Sequence, residues 1–280
     1  MHHLVVQAAD IATPTLKALA KLTDAKRIER IGDAAFRLID ARQHDDVAGL
    51  CARERIDHAF VPRGRRLESD SLLVMDMDST LITIECIDEL ADLRGIKTDV
   101  ARITASAMRG EIDYAQSLRQ RVRLLAGTPQ DALERVYRER LRLNPGAERL
   151  LAALRKRKVR TLLVSGGFTF FTERLKARLG FDACAANTPE IRAGVLTGEL
   201  LGTIVDAAGK AQALSRMRAS LGVARDHVIG IGDGANDLAF LADCAVSVAY
   251  HAKPAVRAIA THCLDYVGLD GVIHLFEPEA

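Results

Sequence analysis

The rhythm of apolar and polar positions changes near residue 66. Before it, short apolar stretches alternate between strand and helix spacing. Leu4 to Gln7 reads as a strand, and Thr13 to Leu22 as a helix with Thr13 as N-cap and Pro14 at the first helical position. Arg27 to Ile31 and Ala35 to Ile39 read as a hairpin turning at Gly32-Asp33, Asp46 to Arg53 as a second helix, and His58 to Val61 as a last strand. The order βαββαβ predicts a small ferredoxin-like or ACT-like α+β module. Pro62 to Arg66, with turn residues and a charge run, predicts a linker.

From Leu72 on, apolar strands alternate with helical stretches. Leu72–Met75, Thr161–Val164, His227–Ile231 and Ala245–Ala249 are the strands, and their alternation with helices predicts a parallel sheet. Ile84 to about Leu143 is rich in Leu, Ala, Arg and Glu at helical spacing and predicts a helical cap inserted over that sheet. Asn187 to Val205, with turns at Gly194 and Gly198, predicts a β-hairpin. The expected fold class is α/β with a Rossmann-like parallel sheet. The expected division is residues 1–66 for the small module and its linker, and 67–280 for the larger unit with its cap at about 84–143.

Composition narrows the possible functions. The 280 residues can bury roughly 75% of the unfolded surface, so the fold needs no disulfides. Net charge is +2 with both signs interspersed, aromatic residues are 4% and Trp is absent, which argues against a nucleic-acid partner. Cys51, Cys86, Cys184, Cys244 and Cys263 are odd in number and scattered, fitting reduced thiols better than disulfides or zinc. No run reaches the ~18 apolar residues of a membrane helix, and the N-terminus lacks a signal-peptide pattern. A cytoplasmic location with no membrane partner is the expectation.

The chemistry sits where strands end. The apolar run Leu72–Met75 stops at Asp76-Met77-Asp78-Ser79-Thr80, and ligands of open α/β sheets bind at such strand tips. Two carboxylates this close repel unless a cation lies between them. Asp76 can act as a nucleophile toward a phosphoryl group, and Asp78 as the acid that protonates the leaving alcohol and the base that activates water. An isolated DxD is as often a plain surface turn; the strand before it shifts the balance. Ser165-Gly166-Gly167 after the next strand forms an anion cradle, though alone it is a common turn. Lys210 at the start of a helix over Ala211–Leu221 can neutralise phosphate charge, where a lone Lys would normally be a solvated side chain. Gly232-Asp233-Gly234-Ala235-Asn236-Asp237 adds oxygen ligands at the same edge, and hard oxygen ligands beside phosphate imply Mg2+. Together these segments supply what phosphoryl transfer needs.

At these segments the chain resembles the haloacid dehalogenase superfamily, most closely its bacterial phosphoserine phosphatases, over about residues 70 to 276, including Tyr250-His251-Ala252-Lys253-Pro254. The resemblance implies Mg2+-dependent hydrolysis of O-phospho-L-serine through an aspartyl-phosphate, the last step of serine synthesis, with a small molecule as substrate. It implies Asp76 as nucleophile, Asp78 as acid/base, and Mg2+ held by Asp76, the Asp78 carbonyl and Asp233. Ser165, Gly166 and Lys210 would hold the phosphate, with Asn236 and Asp237 in support. Glu85 would meet the substrate's amino group, Arg121 its carboxylate, and Met108 would line the pocket, with Tyr114 where relatives often carry Phe. Read alone, Glu85 and Arg121 are ordinary surface charges. ACT-like modules in general bind effectors and pair side by side, so the N-terminal module is open to two expectations. One is homodimerisation with serine feedback; the other is simple stabilisation of the catalytic unit.

Overall fold

The computed structural model describes residues 1–33 and 35–278. Its first sheet is antiparallel, built from β1 (His2–Gln7), β2 (Arg27–Gly32), β3 (Ala35–Ala41) and β4 (Asp57–Pro62) in the order β2-β3-β1-β4. Helices α1 (Thr13–Leu22) and α2 (Asp46–Arg53) cover one face, burying Leu16, Leu19, Val47 and Cys51 against Leu4, Val6 and Leu38. This is the ferredoxin-like order expected from βαββαβ. One detail differs: the N-cap of α1 is Ala12, not Thr13, so Pro14 falls at the second helical position. Pro is tolerated throughout the first turn because its missing N–H has no helical partner there.

The second sheet has seven strands in the order β11-β10-β9-β5-β6-β7-β8. They are β5 (Leu72–Asp76), β6 (Arg160–Phe168), β7 (Ala183–Arg192), β8 (Val195–Leu201), β9 (Val228–Gly232), β10 (Val246–Tyr250) and β11 (His262–Leu264). All pairings are parallel except β7–β8. Every residue of β5, β9 and β10 is buried, which is why these strands read as unbroken apolar runs. Two strands escaped the sequence pattern. β7 enters through the small, half-buried Ala183-Cys184-Ala185, and β11 has only three residues.

The cap comprises α3 (Cys86–Leu93), α4 (Lys97–Met108), α5 (Tyr114–Leu124), α6 (Asp131–Arg135) and a π-helical turn at Val136–Arg140, and the chain re-enters the body where Ile82 bridges Leu143. Asp113 opens α5 with a capping box to Gln116. The β7–β8 hairpin braces the cap through backbone bonds from Gly127 N to Leu196 O and from Gln130 N to Gly194 O, both 2.8 Å. Helices α7 (Ala147–Lys156), α8 (Thr169–Leu179) and α9 (Ala207–Leu221) complete the layers. Among the described residues no helix is long and apolar enough to cross a membrane.

The two sheets share a core. Val5, Ala59 and Val61 of the first belong to the same buried cluster as Leu73, Met75, Ile229, Val248 and Leu264 of the second. Asp57, at the start of β4, accepts backbone N–H bonds from Asp265, Tyr266 and Val267 at 2.7, 2.8 and 3.0 Å. That carboxylate closes the turn after β11 onto the small sheet.

Candidate active site

Asp76 ends β5 and pairs with Val164 of β6, while Met75 pairs with Ile231 of β9. Asp76, Ser165 and Asp233 are thereby brought to one crevice beyond the strand ends, where the chain order along the sheet reverses. The turn after Asp76 is tight. Ser79 takes a left-handed conformation, φ 58°, which returns Asp78 over the strand end. Asn144 holds this turn, donating from Nδ2 to the carbonyl of Thr80 at 2.8 Å and of Ile82 at 3.3 Å. Asp78 accepts at Oδ2 from Ser165 Oγ (3.1 Å) and at Oδ1 from the backbone of Cys86 (3.0 Å), and Ser165 Oγ accepts from Gly167 N at 2.8 Å.

Lys210 is 1% exposed. Its ammonium lies 2.5 Å from Asp76 Oδ1 and 2.7 Å from Asp237 Oδ1. An ammonium has three donors, so one remains for a ligand in the crevice. The helix carrying Lys210 starts at Ala207, four residues earlier than the pattern suggested, because Asp206 caps it by accepting from Gly209 N at 2.8 Å. Lys210 is therefore held in a capped first turn rather than at a fraying end.

The electrostatics follow from burial. Asp76 is pushed well above the usual carboxylate range, first by desolvation and then by the charge of Asp237, with Lys210 opposing. Asp78 is raised to about 7 by desolvation and then by Glu85, a value suited to a general acid near neutrality. Asp233 is raised to about 6, by desolvation and then by Asp237. Burial alone would lower Lys210, but Asp76 and Asp237 outweigh it and keep it firmly protonated.

Carboxylate oxygens of Asp76, Asp233 and Asp237 lie within 4.8 Å of one another, all buried. Their hydrogen bonds sort them. Asp237 spends Oδ1 on Lys210 and Oδ2 on the N–H groups of Asp233 and Gly234, both at 3.0 Å. Asp233 spends Oδ1 on Thr80 Oγ1 at 2.9 Å, and Asp76 spends Oδ1 on Lys210. Among the described residues, Asp76 Oδ2 and Asp233 Oδ2 accept nothing. Two buried, mutually repelling carboxylates with one free oxygen each fit a hard divalent cation.

The cap residues divide. Tyr114 and Arg121, two turns apart on α5, share the face turned to the crevice. The Tyr114 hydroxyl lies where a Cβ on Gly166 would come within 1.8 Å of it, and the charges of Lys210, Arg121, Asp76 and Asp78 all act on it. Arg121 makes no ion pair among the described residues, and its Nε is buried without a partner. Glu85 precedes α3 and accepts from Ser79 Oγ at 2.8 Å. Met108 is not brought in: it is 72% exposed at the end of α4, next to the left-handed Gly110 that turns the chain away. Asn236 is half-buried and does not reach Lys210, which Asp237 engages instead.

Three residues here were given no role by the sequence, although Thr80 lies in the Asp76–Thr80 segment and Asn187 opens the expected hairpin. Thr80 tethers Asp233 and Asn144 braces the turn. Asn187 clasps two loops, donating to Gly166 O at 2.9 Å and accepting from Val205 N at 2.8 Å. Each acts on a partner far away in sequence.

Residues 73–242 match the haloacid dehalogenase-like hydrolase family, and residues 4–47 match a domain of unknown function. The chain is 49% identical over 218 residues to a phosphoserine phosphatase of Albidiferax ferrireducens, covering 76% of this chain and 92% of that one. In structure it resembles a haloacid dehalogenase family hydrolase of Salmonella enterica serovar Typhi, with TM-score 0.89 and 31% identity, covering 100% of this chain and 99% of that one. It also resembles a probable phosphoserine phosphatase of Vibrio cholerae, with TM-score 0.85 and 34% identity, covering 98% of this chain and 85% of that one.

Proposed function

Because this chain belongs to the haloacid dehalogenase-like hydrolase family and is a phosphatase, we propose that it hydrolyses O-phospho-L-serine to L-serine and phosphate. The observation that carries the choice of substrate is Arg121. A half-buried guanidinium with an orphaned Nε, on the helix face shared with Tyr114, lacks an oxyanion partner, and a substrate carboxylate supplies one. Glu85 at the crevice rim offers the opposite charge to an ammonium group. Relatives named as phosphoserine phosphatases support the same reading.

In this reading Asp76 attacks phosphorus, and the bond from phosphorus to the serine oxygen breaks. Asp78, raised toward neutrality by burial, gives its proton to the departing serine oxygen, which leaves as the hydroxyl. Asp78 then takes a proton from water, which attacks phosphorus and frees Asp76 and phosphate. Lys210, the Ser165 hydroxyl and the Gly166 amide would hold the phosphoryl oxygens. Asp76, Asp233 and the Asp78 carbonyl would hold Mg2+, which would polarise the phosphoryl group. Residues 1–66 and 67–280 are read as two domains, and the reaction as the final step of serine synthesis, in the cytoplasm.

Phosphate release from L-phosphoserine, L-phosphothreonine, phosphoethanolamine and sugar phosphates, with and without Mg2+, tests this. Selectivity for phosphoserine that needs Mg2+, vanishes in Asp76→Asn and weakens in Arg121→Gln through KM is expected. Equal turnover of phosphoethanolamine, which lacks the carboxylate, would overturn the assignment of Arg121.

A further inference from the structure

A cleft of about 960 Å3 lies away from the crevice, between the small sheet and the catalytic body. The sheet order explains it. β1 and β4 sit on the body, and β2 and β3 overhang it. Seven cationic side chains line the cleft against three carboxylates. The carboxylates are already engaged. Asp40 pairs with Lys26 at 2.8 Å and lies 3.9 Å from Arg63, and Glu29 pairs with Arg27. Glu277 takes His3 Nε2 at 3.2 Å and the Gly64 N–H at 2.7 Å.

Four guanidinium groups have no carboxylate within ion-pair distance among the described residues: Arg30, Arg37, Arg66 and Arg157. Arg30 donates to the carbonyls of Gly32 (3.1 Å) and Asp33 (2.7 Å), and Arg157 to that of Ala153 (3.4 Å). Arg37 is the informative one. It is 3% exposed, its terminal nitrogen donates to the carbonyls of His274 (3.1 Å) and Phe276 (2.7 Å), and its Nε is buried with no partner. Glu277 and Glu29 act on Arg37 only from beyond ion-pair distance, and a guanidinium does not shed its charge, so its open Nε–H calls for an anion or a further acceptor. Ile31, Ile39, Leu67 and Ile273 supply apolar surface beside it.

We propose that this cleft binds a small organic polyanion, its phosphate or carboxylate groups held by Arg30, Arg37, Arg66 and Arg157. The volume suits a metabolite-sized ligand, and the planar forks suit oxyanions. Arg30 and Arg37 come from the overhanging strands, Arg66 and Arg157 from the linker and the body. A ligand there therefore ties the small sheet to the catalytic unit.

The test is titration calorimetry and thermal unfolding of the full chain with tripolyphosphate and with citrate, in EDTA. One site with Kd of about 1 mM or tighter and a raised Tm are expected. Arg66→Gln/Arg157→Gln, which removes two side chains remote from the crevice, should weaken binding about tenfold or more and leave phosphoserine turnover unchanged. Arg30→Gln should weaken it as well. Arg121→Gln should not. Tighter binding of tripolyphosphate would assign a phosphorylated ligand, and tighter binding of citrate a polycarboxylate; either supports the site. Absence of binding, or binding lost in Arg121→Gln but intact in Arg66→Gln/Arg157→Gln, would overturn it.

Discussion

Replacing Lys210 by Met removes the cation held between two buried carboxylates, Asp76 and Asp237, while keeping much of the side chain's apolar volume. The ammonium lies 2.5 Å from Asp76 and 2.7 Å from Asp237, and it is 1% exposed, so water does not take its place. Breaking a buried pair from one side costs about 3–5 kcal/mol, because a charge stays buried without compensation. A ceiling comes from a second route. The fold can escape by keeping one carboxyl protonated, which at pH 7 costs about 1.36 × (7 − 3.9), or about 4 kcal/mol, relative to an unfolded Asp. The two routes agree on about 4 kcal/mol. Urea denaturation in EDTA at pH 7 reads it. Lys210→Met/Asp237→Asn, which removes a negative charge along with the positive one, should recover more than half of the loss. A loss under about 1 kcal/mol in Lys210→Met, or a double variant worse than the single one, would refute the claim that Lys210 compensates buried charge.

Asp57→Ala should cost about 2 kcal/mol in urea denaturation, because three part-buried N–H groups of residues 265–267 lose their buried acceptor; a change below about 0.5 kcal/mol would mean that water replaces it. His262 is pushed down to about 4, by burial and then by Arg65. Its folded pKa lies below its unfolded value of about 6.5, so the unfolded chain takes up the proton first as pH falls. Above pH 6.5 the residue contributes no pH dependence, and between 6.5 and 4 it removes up to about 3 kcal/mol of stability. Stability of wild type compared with His262→Asn from pH 7 to 4 should show that window, and parallel curves would refute it. Gly166→Ala would put a Cβ 1.8 Å from the Tyr114 hydroxyl, so the phenol must swing away. We expect kcat/KM for phosphoserine to fall about tenfold or more with Tm nearly unchanged, and unaltered kinetics would show that the Tyr114–Gly166 contact is dispensable.

The parts legible in the chain were those whose signal is local. A strand buried on both faces is apolar almost throughout, so the runs read at Leu72–Met75, His227–Ile231 and Ala245–Ala249 announced the parallel sheet, and the first two the strand ends that carry acids. Helical spacing announced the cap, and the element order announced the small sheet. The structure departed from the pattern where the signal was short or shared. β11 has three residues and β7 begins with small ones, while α9 starts at a cap, Asp206, that lies upstream of its apolar spacing.

What the sequence determined by itself is the set of chemical groups and the strand tips they follow, because strand and turn preferences act over a few residues. Only the tertiary structure decided how those groups divide their work. Which oxygen of Asp76 and of Asp233 stays free depends on Lys210, Thr80 and Asp237, which are remote in sequence from the carboxylates they engage or shield. The same holds for Asn144 and Asn187 as braces, for Met108 turning outward, and for the four cleft arginines that have no ion pair among the described residues. A local pattern states which residue types stand near one another along the chain. Burial and hydrogen-bond accounting depend on what the folded chain brings to their other side.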